Sequence, residues 1–264
     1  MKFSTGEEKK IQKKFLKNGY LIFNIDDKKN LNLIKKKILS FSSTWLKKKF
    51  IKVPNEKNLL DNIHNYLDVK MLNEFRLYVY NKINNSKDFQ KIYYNLAKNY
   101  LEILCGNELV MQKKCNISIQ LPKDDSSLLP LHADVWVGDS EYEIVFWLPL
   151  VNVFKTKAMY ILSPRDNDKY SKKFKKFKSI DDIFTKVKKK VKWLKVDYGQ
   201  GLLFSQNLMH GNVVNVEKGS RWSFNCRFKS IFSPYRDKEI GTFFTPITVK
   251  PITILGMNYN FPNA

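Results

Sequence analysis

Apolar positions along this chain follow a helical period in the first hundred residues and a strand period after that. In "EEKKIQKKFLKNGYLIFNI" they recur at helical spacing up to Gly19 and then bunch, which predicts a helix, a glycine stop and a strand over 20–25. The helical period returns over 27–49, with Leu31, Leu33, Ile34, Ile38, Leu39 and Trp45 as its apolar positions. Two more helices are predicted over 57–84 and 86–105. The second carries Tyr93, Tyr94, Leu96, Tyr100, Leu101 and Leu104, and Gly106 closes it.

Beyond Gly106 the texture changes. "KCNISIQLP" alternates strictly, with Asn116, Ser118 and Gln120 on one face and Cys115, Ile117 and Ile119 on the other. "YEIVFWLPLV" and "KAMYILSP" read as two strands joined by a turn near 152–156. A Lys-rich insertion over 165–195 holds a short helix at 179–187. "GQGLLFSQNLMHGNVVNV" and "GSRWSFNCRFKSIF" supply the remaining strands, and 233–264 is a loop-rich tail. Helices first and antiparallel strands after them predict an α+β protein with a mostly β core. The core is expected to be a β-barrel or a double-sheet jelly roll, with an N-terminal helical layer packed outside. The chain reads as one domain over 1–264: helical layer and edge strand 1–106, jelly-roll core 107–232, tail 233–264.

With 264 residues, 43% of them hydrophobic, the chain can build the sizeable core such a domain needs. No run approaches the length of a transmembrane helix, and the N-terminus lacks the apolar stretch of a signal peptide. Cys105, Cys115 and Cys226 are odd in number and have no CxxC spacing, so they read as reduced thiols of a cytoplasmic protein. The net charge of +22 invites a nucleic-acid partner. Yet only five of the 47 basic residues are Arg, and the lysines gather in 1–60 and 165–195, away from the strand-rich centre. A solvated lysine surface is the expectation, with no specific nucleic-acid partner and no membrane. A basic jelly-roll module that binds nucleic acid or another polyanion without catalysis is the competing class.

Histidine is scarce: the chain has His64, His132 and His210. "LHAD" places His132 and Asp134 two residues apart, so on an extended chain both side chains face one side. If His210 joins them, two imidazoles and a carboxylate form the facial triad of non-haem Fe(II) oxygenases, which leaves positions open for a co-substrate and O2. If it does not, these are structural histidines, as His64 is taken to be. Arg221 follows His210 by eleven residues and offers a guanidinium fork for the distal carboxylate of a 2-oxo acid. Ser223, Asn225 and Arg227 share its strand face. Asp139 and Glu141 read as surface acids of the loop after the HxD pair.

These residues resemble the phytanoyl-CoA dioxygenase superfamily of Fe(II)/2-oxoglutarate oxygenases, which implies a double-stranded β-helix (jelly roll, cupin-like) as the core. "FLKNGYLIFNI" is similar to that superfamily's opening helix and strand, "HAD" to its metal pair and "MHG" to its distal histidine. "LHADVWVGDSEYEIVFWLPLV" and "RWSFNCRFKS" look like the oxygenases of streptomycin-type and other carbohydrate biosynthesis clusters. The resemblance implies Fe(II) at His132, Asp134 and His210, and 2-oxoglutarate at Arg221, Ser223, Trp147 and Gln120, with O2 as oxidant. It implies hydroxylation of a small polar metabolite, a sugar or sugar-nucleotide, with an acyl-type metabolite as the alternative. Candidate substrate contacts are Asn116, Trp136, Lys157, Asn225 and Arg227, in a monomer or homodimer. The carboxylate of Asp134 points away from halogenation, because halogenases of this type replace it with a small residue. Two departures stand out: Asn212 where many relatives carry Ser or Thr, and "SPRD" at 163–166 where they carry "PGSH".

Overall fold

The computed structural model describes residues 3–52 and 58–262. Thr5 and Glu8 close a reciprocal capping box on α1 (Gly6–Asn18), and Gly19 ends it with φ at 74°, a left-handed conformation that suits glycine. The chain then enters β1 (Tyr20–Asn24). Asp27 caps α2 (Lys28–Lys48), which buries Leu31, Ile34, Ile38, Trp45 and Leu46. The helix expected over 57–84 is shorter: α3 (Val69–Asn84) starts behind an Asp68 cap, after a 3-10 turn at Ile63–Asn65. Residue 57 lies outside the described residues.

The helix expected over 86–105 is two, α4 (Phe89–Asn95) and α5 (Lys98–Cys105). At the break, the N–H groups of Leu96 and Ala97 reach carbonyls only three residues back, Tyr93 at 3.3 Å and Tyr94 at 3.0 Å. This tightened turn re-aims the chain so that Phe89 and Tyr93 on one helix and Leu101 on the other are all buried.

The strands are β2 (Leu109–Gln112), β3 (Asn116–Gln120), β4 (Ile144–Pro149), β5 (Tyr160–Ile161), β6 (Lys192–Trp193), β7 (Gln200–Ser205), β8 (His210–Gly211), β9 (Arg221–Ser230) and β10 (Phe244–Pro246). The larger sheet runs β1-β7-β4-β9-β2-β10, with β3 also on β9, and the smaller one runs β6-β5-β8. All of these pairings are antiparallel. Two antiparallel sheets behind a helical layer make the jelly-roll architecture expected. One connection differs. β4 and β5 form no hairpin; the chain crosses from the larger sheet to the smaller through a Val153–Val196 bridge and a 3-10 turn at Lys155–Lys157.

β9 shows why the site faces inward. Trp222, Phe224, Cys226 and Phe228 are fully buried on its helix side. Phe75 meets Trp222 edge-on at 5.7 Å, Phe89 meets Phe224 at 5.3 Å, and the Tyr93 hydroxyl donates to the Phe146 carbonyl at 2.6 Å. The alternate residues Arg221, Ser223, Asn225 and Arg227 therefore point between the sheets.

The Lys-rich insertion holds α6 (Pro164–Ser171), a 3-10 turn and α7 (Ile180–Val187). "SPRD" is a helix start, with Ser163 accepting from the Asp166 N–H and Pro164 in the first turn. Ile183 and Val187 pack against Leu131, Tyr160, Leu162 and Met209, so the insertion buttresses the smaller sheet. Lys172, Lys173, Lys175, Lys176 and Lys178 are exposed. Replacing all five with Gln is expected to leave metal binding unchanged. It should weaken retention on a mixed nucleic-acid pool only at low salt, checked by a salt titration of both properties.

The tail is more ordered than expected: β10 pairs with β2, and α8 (Pro251–Met257) follows. The three cysteines are free thiols. Among the described residues no helix is long and apolar enough to cross a membrane.

Candidate functional site

Ala133 is extended (φ −128°, ψ 134°), so His132 and Asp134 project to one side. The chain then coils into a 3-10 turn, Asp134–Val137, and does not continue as a strand until Ile144. His132 and His210 bond reciprocally through their backbones, at 2.9 and 2.8 Å, which brings the tilted rings together with centroids 4.3 Å apart. Gly211 permits this approach, since a Cβ there would lie 2.8 Å from the Leu129 carbonyl oxygen and 2.5 Å from the Tyr160 hydroxyl.

Each ring is fixed by its Nδ1, which faces the Pro130 carbonyl at 2.7 Å in His132 and the Leu208 carbonyl at 2.8 Å in His210. A carbonyl only accepts, so Nδ1 carries the hydrogen, and in the neutral ring Nε2 keeps its lone pair. Both Nε2 atoms face Asp134 Oδ1, at 3.4 and 3.7 Å. Among the described residues this trio has the grouping of a metal site, one ligand atom from each within 4.8 Å of the others.

The electrostatics suit a cation. Burial pushes His210 down to about 4, against the pull of Asp134, so its ring is neutral near pH 7. For His132 burial acts in the same direction, but the Asp134 hydrogen bond and the Pro130 carbonyl outweigh it and raise the pKa. Burial works against ionisation of Asp134. At the acidic pH where the carboxyl would titrate, both imidazoles are protonated, so the hydrogen bond from His132 and the charges of His210 and Arg227 override burial and hold it below the usual range.

A cavity of ≈ 340 Å³ extends from this trio to the buried Arg221. Burial pulls the Arg221 guanidinium down to about 10. Its Nη2 donates to Ser118 Oγ at 3.1 Å, while its Nε and the buried Ser223 hydroxyl have no partner. Orphaned donors on a buried cation lack an acceptor, and a carboxylate supplies one. Arg221 therefore fits the distal carboxylate of a 2-oxo acid, and Ser223, on the same strand face, lies off the cavity lining.

The other candidates divide. Trp147, Asn116 and Asn225 line the cavity, and Asn116 Nδ2 donates to Asn225 Oδ1 at 3.1 Å. Gln120 sits across from Arg221 in the sheet but donates to the Val213 carbonyl at 2.7 Å, and its Oε1 is unpartnered. Trp136 does not line the cavity; the 3-10 turn swings it out against Phe174, centroids 4.9 Å apart, and brings Val137 to the cavity instead. Lys157 also lies off the cavity lining, its ammonium 3.4 Å from Asp61. Arg227 reaches the cavity, but its Nη2 is bound to Asp134 Oδ2 at 2.9 Å. His64 is apart from the trio, its Nδ1 2.9 Å from the Ser220 hydroxyl.

Sequence reasoning misplaced one acid. Asp139 is no surface residue but fully buried, 3.0 Å from Arg227 and 2.5 Å from Lys238, whereas Glu141 is an exposed partner of Arg236. Nothing local marks Asp139, because Lys238 lies 99 residues further on. Asn212 was noted only as a departure; its Oδ1 accepts from the Leu129 N–H at 2.7 Å and fixes the cavity rim.

No family model matches this sequence, and no curated protein does. Solved structures do. The chain superposes on the non-heme monooxygenase ThoJ, in its nickel complex, with a TM-score of 0.56 at 14% identity, covering 91% of this chain and 84% of that one. It is also similar to the non-heme alpha-ketoglutarate-dependent epimerase SnoN from nogalamycin biosynthesis, with a TM-score of 0.51 at 12% identity over 89% and 85% of the two chains. EvdMO1 gives a TM-score of 0.56 at 11% identity, over 84% of this chain and 50% of that one. The shared property at such identities is the fold, the jelly roll of non-haem iron, 2-oxoglutarate-type oxygenases.

Proposed function

We propose that this chain is a non-haem Fe(II)/2-oxoglutarate-dependent dioxygenase of the phytanoyl-CoA dioxygenase superfamily, hydroxylating a small polar metabolite. One observation carries the reading. A single cavity joins two imidazole Nε2 atoms and a carboxylate oxygen at one end to the buried Arg221, whose Nε has no partner, at the other. Bound together, Fe(II), 2-oxoglutarate and O2 would supply the oxidising power, with succinate and CO2 as co-products.

The chain's own residues bind, orient and exclude water. His132, Asp134 and His210 hold the metal, and Arg221 grips the far carboxylate, with Ser223 next on its strand face. Trp147, Met159 and Phe204 wall the co-substrate from solvent, while Val137 and Leu129 stand at the rim. Of the charged groups at the cavity, Asp134 serves the metal, Arg221 the co-substrate, and Arg227 is bound to Asp134. The polar groups left for a substrate are carboxamides, Asn116 and Asn225, which suit the hydroxyls of a sugar better than an acyl chain. A sugar-nucleotide fits if its phosphates stay outside the cavity.

The test is Fe(II)-dependent conversion of 2-oxoglutarate to succinate by the purified protein without substrate, followed by a screen for metabolites that stimulate it. Slow basal turnover that needs both Fe(II) and Arg221 is expected. No turnover under any condition, with salt-resistant binding to a polyanion, would replace the enzyme with a binding module.

A further inference from the structure

We infer that the C-terminal segment at 234–238 belongs to the scaffold of the metal centre, with Lys238 as a positioning residue that acts on Asp134 through Asp139 and Arg227. The inference rests on His132, Asp134 and His210 being metal ligands. Its starting point is the division of labour within Asp134: Oδ1 faces the two histidines, and Oδ2 accepts from Arg227 Nη2 at 2.9 Å. A carboxylate clamped in this way presents one oxygen to a metal, and the clamp sets which one.

Arg227 is itself contested. Its Nε donates to Gln206 Oε1 at 3.0 Å and lies 3.0 Å from Asp139 Oδ1, while Glu143 Oε2 stands 4.0 Å away. Asp139 is fully buried and Oδ1 receives no hydrogen bond, so its charge needs a cation close by. Lys238 is that second cation, 2.5 Å from Asp139 Oδ2. With Lys238 in place, the attraction of Asp139 is shared, and the guanidinium stays on Asp134. Without it, Asp139 draws on Arg227 alone and pulls it away from Oδ2.

The segment is fixed where this requires it. Ser140 donates its hydroxyl to the Pro234 carbonyl at 2.6 Å, and Lys229 donates to the same oxygen. Gly138 is packed so closely on Asp237 that a Cβ there would lie 2.2 Å from its carboxylate. The loop that begins at the metal carboxylate thus lies beneath the tail. A neighbouring tether, Arg236 to Glu141 at 2.8 Å, is exposed and does not lead to Arg227.

Co(II) reports both affinity and ligand geometry, through calorimetry and its visible absorption, with no turnover needed. In Lys238→Met, affinity is expected to fall roughly 3- to 30-fold, since loss of a partner outside the ligand shell typically costs 10- to 100-fold next to a ligand and less one step away. The Co(II) spectrum should change with it, Lys238→Arg should restore both, and Arg236→Gln should leave both as in the parent. The double variant Lys238→Met/Asp139→Asn removes the competing charge together with its cation, so it should bind close to parental strength. It also keeps the test open if Lys238→Met does not fold. Parental affinity and spectrum in Lys238→Met, an equal loss in Arg236→Gln, or a double variant as weak as the single one would each overturn the inference. A parent protein that binds no Co(II) would remove the metal reading itself, and this inference with it.

Discussion

His210→Ala is expected to abolish stoichiometric binding of Fe(II), or of Mn(II) as an inert stand-in, with an affinity loss beyond about 100-fold. Removing even a group outside the ligand shell costs up to that factor, and His210 would be a ligand. Its ring is buried, with Nδ1 held by the Leu208 carbonyl and Nε2 aimed at the shared space with Asp134. No neighbouring imidazole is free to take over, because His64 is engaged with Ser220. His64→Ala is the control and should bind like the parent. Calorimetric titration of both variants decides it: parental affinity in His210→Ala means that the trio has another purpose.

The second large effect is expected at the other end of the cavity. Arg221→Ala should weaken 2-oxoglutarate binding by roughly 2–5 kcal/mol, on the order of 30-fold to several thousand-fold, while metal binding survives. The size follows from burial, since a carboxylate that enters this pocket gives up water and depends on the guanidinium to replace it. Ser223→Ala should cost less, about 0.5–1.5 kcal/mol, because the hydroxyl has no other partner to lose. Titration of 2-oxoglutarate into the Mn(II)-loaded proteins measures both. Equal losses in the two variants would mean that the carboxylate is not held by the arginine.

Much of the centre could be read from the chain because its chemistry follows the backbone period. His132 and Asp134 share a side across one extended residue, and Arg221, Ser223, Asn225 and Arg227 share a strand face. Spacing alone predicts that geometry. What spacing does not carry is which partner a side chain takes once the sheets close. Arg227 sits on the expected face, yet its guanidinium is bound to the Asp134 carboxylate and not presented to a substrate. Trp136 was expected to face the cavity, but a single 3-10 turn rotates it outward. Asp139 gives no local sign of burial, since its cover arrives from the tail. The fold was legible to a similar depth: the long helix α2 and the alternating strand β3 follow their patterns. The split of α4 from α5 and the crossing between β4 and β5 depend on contacts with distant strands.

The pairing of β1 with β7 bears on how the molecule is made. Asn24 and Gln200 are opposite one another although 176 residues separate them, and β4 takes its place between β7 and β9. The helical layer can begin to form early, through contacts such as Trp45 with Phe75. The sheet cannot close until β9, which ends at Ser230, has left the ribosome. Contacts this far apart in sequence are slow to form, and unpaired strands are exposed while the chain waits. During synthesis β1 is therefore an open edge next to a stretch rich in lysine, whose mutual repulsion opposes strand-to-strand association. Repulsion among the lysines of 1–60 thus acts against association of this strand while it waits for β7.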